Sequence, residues 1–563
     1  VRNVALCLIG LSLTLQATPP TLTSLFPAGG QLGTSFPMTL SGKLNAGKTV
    51  VWVQGKGVDF SKPDAKGKVT CTISKDAELG LRLVRLYDEE GASELRWMSV
   101  GVLPDVLEVE PNDALTSGQS LEKLPLSVNG QLSKSGDIDG FSFDVAAGQS
   151  VVATVEAYSL GSPVDAVLNL YDASGVRLAT VHDGRNLDPA LMFAVPKAGR
   201  YTLQISGFAH PPAADVRFTG GATVIYRIHV TTGPAALRVF PPVVGIGITS
   251  KVDLRGANLG NKETAFEVDG TSFKRVGQIQ RLFLSRWTLG PIEALTSSMI
   301  PVIEKEPNNQ PGEAMRMGVP GVVAGSISGV GDADRFSFVA KKGDRWSIRV
   351  RSKQLGLPLD ASLRIESSDG KEISSNDDQA ESPDPMVDFV SPADGSYQIR
   401  VTDLFDKGGP SHEYVVDVEA PRPDLEVTLS GPDAFILNAG KTLEITGKVK
   451  RLGGLKERLT ASVEGLPAGV GADCQVDEKS GDLKVKLVAA SDADSARGSF
   501  RIAVLAADSK PPVYRLASRS LRGEAKRGTS QLDLSPELWL TVIPFKPEPA
   551  KKAELPPLGS VGK

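Results

Sequence analysis

The chemistry this sequence could do is concentrated in its oxygen-bearing side chains. Glu108, Glu110 and Asn112 alternate, so in an extended segment they project to one side, with Asp113 next to them. Asp137 and Asp139 follow on a shared parity, just ahead of the alternation Phe141-Ser142-Phe143. Calcium takes six to eight oxygen ligands from carboxylates, amides and carbonyls, and crowded carboxylates without a cation repel. The spacing is not that of an EF-hand. Asp137-Ile138-Asp139-Gly140 lacks the later ligands, and Gly148 stands where the closing Glu belongs. A second reading fits the same residues, because Asp and Asn before a strand are ordinary turn formers and Glu-Pro-Asn suits a solvated linker. Both readings stay open.

Catalytic material is sparse. The chain has four histidines: His182 and His210 in loop-like stretches, His229 in a strand between Ile228 and Val230, and His412. His412-Glu413 lacks the second histidine of a zinc helix, and no nucleophile elbow, Walker loop or dinucleotide fingerprint occurs. The expectation is a protein that is not an enzyme. Cys71, which alternates with Val69 and Ile73, and Cys474 read as small buried hydrophobes, not as a bridge between distant modules. Trp52, Trp97, Trp287, Trp346 and Trp539 are scattered and read as packing residues. Tyr201 and Tyr397 read as core residues with their hydroxyls at the rim.

Stepping outward to the whole chain, 563 residues allow several domains, and 58 glycines with 38 prolines imply many turns. Lys+Arg of 62 against Asp+Glu of 66 leaves a net charge of −4, so no basic excess exists to hold nucleic acid. Arg2 followed by the largely apolar Val4–Leu15 and then Leu15-Gln16-Ala17 reads as an export signal over 1–17. No later run reaches the length of a membrane span, so the mature chain is expected to lack one. Secreted, periplasmic or cell-surface placement follows. The Pro- and Lys-rich 545–563 reads as a disordered tail.

Internal repeats organise the rest. Glu108-Val109-Glu110-Pro111-Asn112-Asp113 recurs as Glu304-Lys305-Glu306-Pro307-Asn308-Asn309. Asp137, Asp139, Phe141 and Phe143 recur as Asp332, Asp334, Phe336 and Phe338, and Leu160-Gly161 as Leu355-Gly356. Tyr201 recurs as Tyr397, and the copies close on Tyr226-Arg227-Ile228 and Tyr414-Val415-Val416. A shorter repeat precedes each copy, with Phe26-Pro27, Gly33, Leu40 and Gly42 matching Phe240-Pro241, Gly247, Leu254 and Gly256. Period-2 alternation with frequent turn signals predicts an all-β chain of tandem β-sandwiches and no long amphipathic helix. The expected units are 18–104, 105–233, 234–302, 303–420 and 421–544, joined by short linkers.

On these motifs the two larger units resemble the bacterial pre-peptidase C-terminal (PPC) domain, and the resemblance implies a jelly-roll-like sandwich of the kind appended to secreted peptidases. The smaller units are similar to the immunoglobulin-like IPT/TIG family, and the last to bacterial immunoglobulin-like modules generally. The resemblance implies calcium ligation by Glu108, Glu110, Asn112, Asp113, Asp137 and Asp139, and in the second copy by Glu304, Glu306, Asn308, Asp332 and Asp334. Asn309 stands in place of Asp113 there and removes one negative charge. No peptidase domain accompanies the motifs. The expected function is that of an exported, non-catalytic binding or scaffold protein for an extracellular protein or polysaccharide. The alternative is an accessory portion of a secreted peptidase system with a separately encoded catalytic partner.

Overall fold

The computed structural model describes residues 18–212, 214, 217–260, 264–284, 287–379, 382–521 and 534–545. The expected signal segment, and the expected tail beyond Phe545, lie outside the described residues. Among the described residues the regular secondary structure is β-strand, apart from three single 3-10 turns. No described helix is long and apolar enough to cross a membrane.

The two larger units have the same architecture. In 105–231 one sheet runs Asp105–Leu107, Leu126–Gln131, Ile225–Thr231, Ser150–Glu156, Ala190–Ala194. Its partner runs Gln119–Ser120, Asp139–Val145, Gly199–Ala209, Val164–Tyr171, Arg177–Val181. The unit at 302–419 repeats both orders, with Gly321–Ser326, Glu413–Glu419 and Arg345–Arg351 central to one sheet and Asp334–Ala340 beside Gly395–Asp403 in the other. Alternation puts Phe141, Phe143, Val151, Ala153, Tyr226 and Ile228 into one core, and Phe336, Phe338, Ile348, Val350, Tyr414 and Val416 into the other. The Tyr201 hydroxyl donates to Lys197 O (2.6 Å) and the Tyr397 hydroxyl to Ala393 O (2.7 Å), so both rings pack inside with a polar tip at the edge. The duplicated Leu-Gly pairs end 3-10 turns, with Gly161 at φ 78° and Gly356 at φ 67°, a left-handed conformation that favours glycine. Asp188 and Asp384 accept the main-chain amides that open those turns.

Each larger unit follows a smaller sandwich, 24–101 or 235–297, and a fifth sandwich spans 424–543. Gly33 and Gly247 occupy matching turns at φ 74° and 72°. The units are not strung out. Leu160 and Ile225 of the first large unit enter the core of the first small one. Leu103 and Val152 pack with Ala235, Ala257 and Leu289. Val322, Leu355, Leu357 and Val415 pack with Val243 and Leu295. The fifth sandwich returns to the first, where Arg85, 1% exposed, pairs with Asp433 at 3.4 Å and has its guanidinium carbon 6.0 Å from the Trp52 ring centre and 5.6 Å from that of Trp539. Those two tryptophans therefore serve a contact between units, whereas Trp97, Trp287 and Trp346 pack against their own cores. Both described cysteines are free: Cys71 is buried and Cys474 half-buried.

Candidate metal centre

The acidic residues of each large unit come together at one end of the sandwich. The strand pair Leu126–Gln131 and Ile225–Thr231 sets Gly130 opposite Tyr226, and the Tyr226 hydroxyl reaches both Asp139 Oδ2 (2.5 Å) and Glu108 Oε2 (2.8 Å). Glu108 Oε1 accepts the Gln131 amide at 2.8 Å. A Cβ at Gly130 would collide with the Tyr226 hydroxyl and the Glu108 carboxylate, so glycine is needed there. Glu110 Oε2 accepts the Asn112 amide (2.9 Å), and the Asn112 carbonyl accepts the Gly140 amide (3.1 Å). Asp137 accepts from Ser133 N and Oγ and from Lys134 N. Carboxylate oxygens of Glu110, Asp113 and Asp137 lie within 4.8 Å of one another.

The second unit rebuilds this arrangement. Tyr414, opposite Gly325, donates to Asp334 Oδ2 (2.5 Å) and approaches Glu304 Oε2 (3.4 Å). Glu304 accepts Ser326 N, Glu306 accepts Asn308 N, and Asp332 accepts Ser328 N. Here the carboxylate oxygens within 4.8 Å of one another belong to Glu304, Glu306 and Asp334. A Cβ at Gly325 would again strike the glutamate and the tyrosine hydroxyl.

These clusters are more than turns. Asn112 and Asn308 are fully buried, and neither amide atom of either side chain has a hydrogen-bond partner. Asp139 Oδ1, Asp334 Oδ1 and Asn309 Oδ1 are likewise buried without a partner. An unmet buried polar atom costs about 1–3 kcal/mol, so such a concentration calls for a bound species. Burial, and then the Glu108 charge, push Asp139 up to about 9; burial and then Glu304 do the same to Asp334. Burial also raises Glu108, and raises Glu304 to about 7. Both tyrosines are raised, by burial and by the adjacent aspartates. A hard divalent cation suits the oxygens of these sites on three counts: carboxylate and amide oxygens as ligands, excess negative charge, and oxygens with nothing to bond; the Asn112 and Asn308 Nδ2 groups, being donors, would need an acceptor instead.

Of the residues expected from the sequence, Glu110, Asp113 and Asp137 converge in one unit, with Glu108 and Asp139 meeting at the Tyr226 hydroxyl; in the other Glu304, Glu306 and Asp334 converge, while Asp332 accepts the Ser328 amide. Three participants were not expected. Tyr226 and Tyr414 were placed on core strands by parity, but their partners are 87 and 80 residues away in sequence. Lys134 was hidden in a Ser-Lys-Ser-Gly turn, although its mismatch with Gly329 in the repeat was a signal.

A second polar feature occupies the outer face of the first large unit. His229 Nδ1 is 2.7 Å from Ser127 Oγ, and His229 Nε2 is 3.4 Å from Glu156. Burial would raise Glu156, but His229 and Arg227 hold it down to about 2. Glu156 and His229 line a cavity of about 400 Å³ between the units. Ser127 does not line it and is 1% exposed, so this serine presents no nucleophile to the cavity.

Comparison with known proteins gives a family for part of the chain. Over 99 residues the chain is 33% identical to a Deinococcus radiodurans protein that carries the name "Probable subtilase-type serine protease"; the match covers 17% of this chain and 14% of that protein. Among solved structures, it is similar to the pre-peptidase C-terminal domain of a Bacillus anthracis collagenase, at 18% identity over 21% of this chain and all of that one, with a TM-score of 0.17. It is also similar to PliG, a periplasmic inhibitor of g-type lysozyme from Aeromonas hydrophila, at 17% identity over 19% of this chain and 97% of that one, with a TM-score of 0.14. Residues 332–403 match the bacterial pre-peptidase C-terminal domain, a span that includes Asp332 and Asp334, and the chain carries one such domain there.

Proposed function

We propose that this chain is an exported, non-catalytic binding or spacing protein, and that calcium holds the acidic end of each large sandwich. The reading extends the pre-peptidase C-terminal assignment to 105–231, on the strength of identical sheet orders and the same Tyr–Asp–Glu closure. The observation that carries it is the pair of fully buried asparagines with unmet amides, each beside carboxylates. Glu108, Glu110, Asn112, Asp113, Asp137 and Asp139 would supply oxygens in one unit. Glu304, Glu306, Asn308, Asp332 and Asp334 would do so in the other. The partner would be an extracellular protein or polysaccharide.

The test is thermal unfolding of the full chain against calcium, with an Asp137→Ala, Asp139→Ala variant alongside. Ligand at ten times Kd adds about 1.4 kcal/mol, enough to raise a transition by a few degrees. The expected result is a calcium-dependent rise in two transitions, one of which the variant loses. No rise at millimolar calcium would return these residues to turn and linker roles. The resemblance to a protein named as a subtilase-type protease favours a second reading, an accessory part of a secreted peptidase system. Co-purification with a peptidase would select that reading, and retention on collagen-like or glycan matrices without one would select the first.

A further inference from the structure

We propose that Lys134 is a built-in counter-cation of the first cluster, so that the two copies take up calcium at different concentrations, the second before the first. The inference rests on the calcium reading above and adds an order of loading to it. The Lys134 ammonium lies 3.2 Å from Asp113 Oδ2 and 3.4 Å from Asp137 Oδ1, bridging two of the three carboxylates whose oxygens converge. The repeat replaces the lysine and one end of that bridge, Lys134 becoming Gly329 and Asp113 becoming Asn309, and keeps the other end, Asp137, as Asp332. The two exchanges cancel in net charge between the copies, while Lys305 in place of Val109 and Arg335 in place of Gly140 add positive charge to the second copy. The copies differ in what stands in a cation's place.

In the first copy an incoming ion must displace the ammonium from two carboxylates. In the second, Asn309 Oδ1 is buried with no hydrogen-bond partner, and Gly329 stands where the lysine was. Arg335, the nearby cation of that copy, is held by Glu366 and Gln398 and meets the cluster through the main-chain carbonyl of Asn309. The unmet amide atoms of Asn112 and Asn308 are common to both sites. Lys134 is thus one element of an asymmetry that also shows in which carboxylates converge, Glu110, Asp113 and Asp137 in one copy and Glu304, Glu306 and Asp334 in the other.

The experiment is calorimetric calcium titration of the full chain, of Lys134→Gln, and of the converse Asn309→Asp, Gly329→Lys. Lys134 is 60% exposed in its side chain, and a Cβ at Gly329 has nothing within 4 Å, so both variants can fold. The wild type is expected to show two steps. Lys134→Gln should tighten the weaker step by about fivefold, the size of releasing two partly exposed ion pairs, and leave the tighter one in place. The converse variant should weaken the tighter step by a similar factor. As a second readout, the calcium-dependent rise in melting temperature should be larger for Lys134→Gln than for wild type, because its metal-free form has lost a counter-ion. Two calcium steps that Lys134→Gln leaves unchanged, or a shift confined to the tighter step, would overturn the role of Lys134 while leaving calcium binding intact. No calcium heat in any of the three proteins would overturn both.

Discussion

The two large sandwiches agree inside and differ outside, and one strand shows both. Along Ile225–Thr231 and Glu413–Glu419, Tyr226 and Tyr414 face inward and close the acidic cluster in the same way. Their neighbours on the opposite face have exchanged character. Ile225 packs into the core of the first small sandwich, whereas its counterpart Glu413 pairs with Arg238 and Arg255 of the other small one. Arg227, fully buried, pairs with Asp105 (2.6 Å) and Glu156 (3.6 Å) and donates to Ser99 O, whereas its counterpart Val415 sits in an apolar cluster with Val243 and Leu295. Each copy thus docks on the sandwich before it with one charged and one apolar position, in opposite order. Period-2 geometry permits this, since substitutions on one face of a sheet leave the other untouched. Duplication preserved the site and remodelled the docking.

Removing the docking charge should produce the largest effect. Arg227→Met leaves Asp105 without its cation and Glu156 with His229 alone, and loss of one partner of a buried charge cluster costs about 3–5 kcal/mol. Denaturant unfolding should show that loss. Glu413→Gln should cost roughly 1 kcal/mol, because the two arginines it leaves are partly exposed and can rehydrate. Equal losses would mean that the two docking faces are not built as described.

The inner comparison predicts equality. Tyr226→Phe and Tyr414→Phe each remove the donor to a buried aspartate, and each should destabilise the calcium-free protein by about 1–3 kcal/mol. A clear inequality would separate the sites. A further effect concerns pH. Asp139 and Asp334 lie near 9 in the fold against an ordinary 3.8, so between those values the metal-free fold holds protons that the unfolded chain has released. Its stability should therefore fall as pH rises through neutrality, and calcium should flatten the slope and expel protons as it binds. Calorimetry at pH 7 in two buffers of different ionisation enthalpy would detect the released protons. A calcium heat identical in both buffers would count against those protonations.

Much of this was readable in the sequence, for physical reasons that also set the limit. The all-β character followed from alternation such as Phe141-Ser142-Phe143, because side-chain parity is a local property. The cluster residues were readable because Glu108, Glu110 and Asn112 sit within five positions and recur in the second copy. The Tyr226 hydroxyl was not readable as a partner of Asp139, since the two strands belong to different sheets and only the packing of one sheet on the other brings them into reach. Gly130 and Gly325 look like any strand glycines until the tyrosine above them is placed. The return of the fifth sandwich to the first rests on Arg85 and Asp433, 348 residues apart, and nothing periodic announces such a pair.

The small sandwich 235–297 is joined by apolar clusters to both large units, through Ala235, Ala257 and Leu289 on one side and Val243 and Leu295 on the other. It therefore acts as a spacer that sets the separation of the two acidic ends. For a polymeric partner of the kind proposed above, that separation would decide whether both copies engage at once. A chain whose repeat matches the separation would, once held at one copy, meet the other at an effective concentration that can reach the millimolar range. A polymer out of step with it would be held by one copy at a time, and the gain in avidity would disappear.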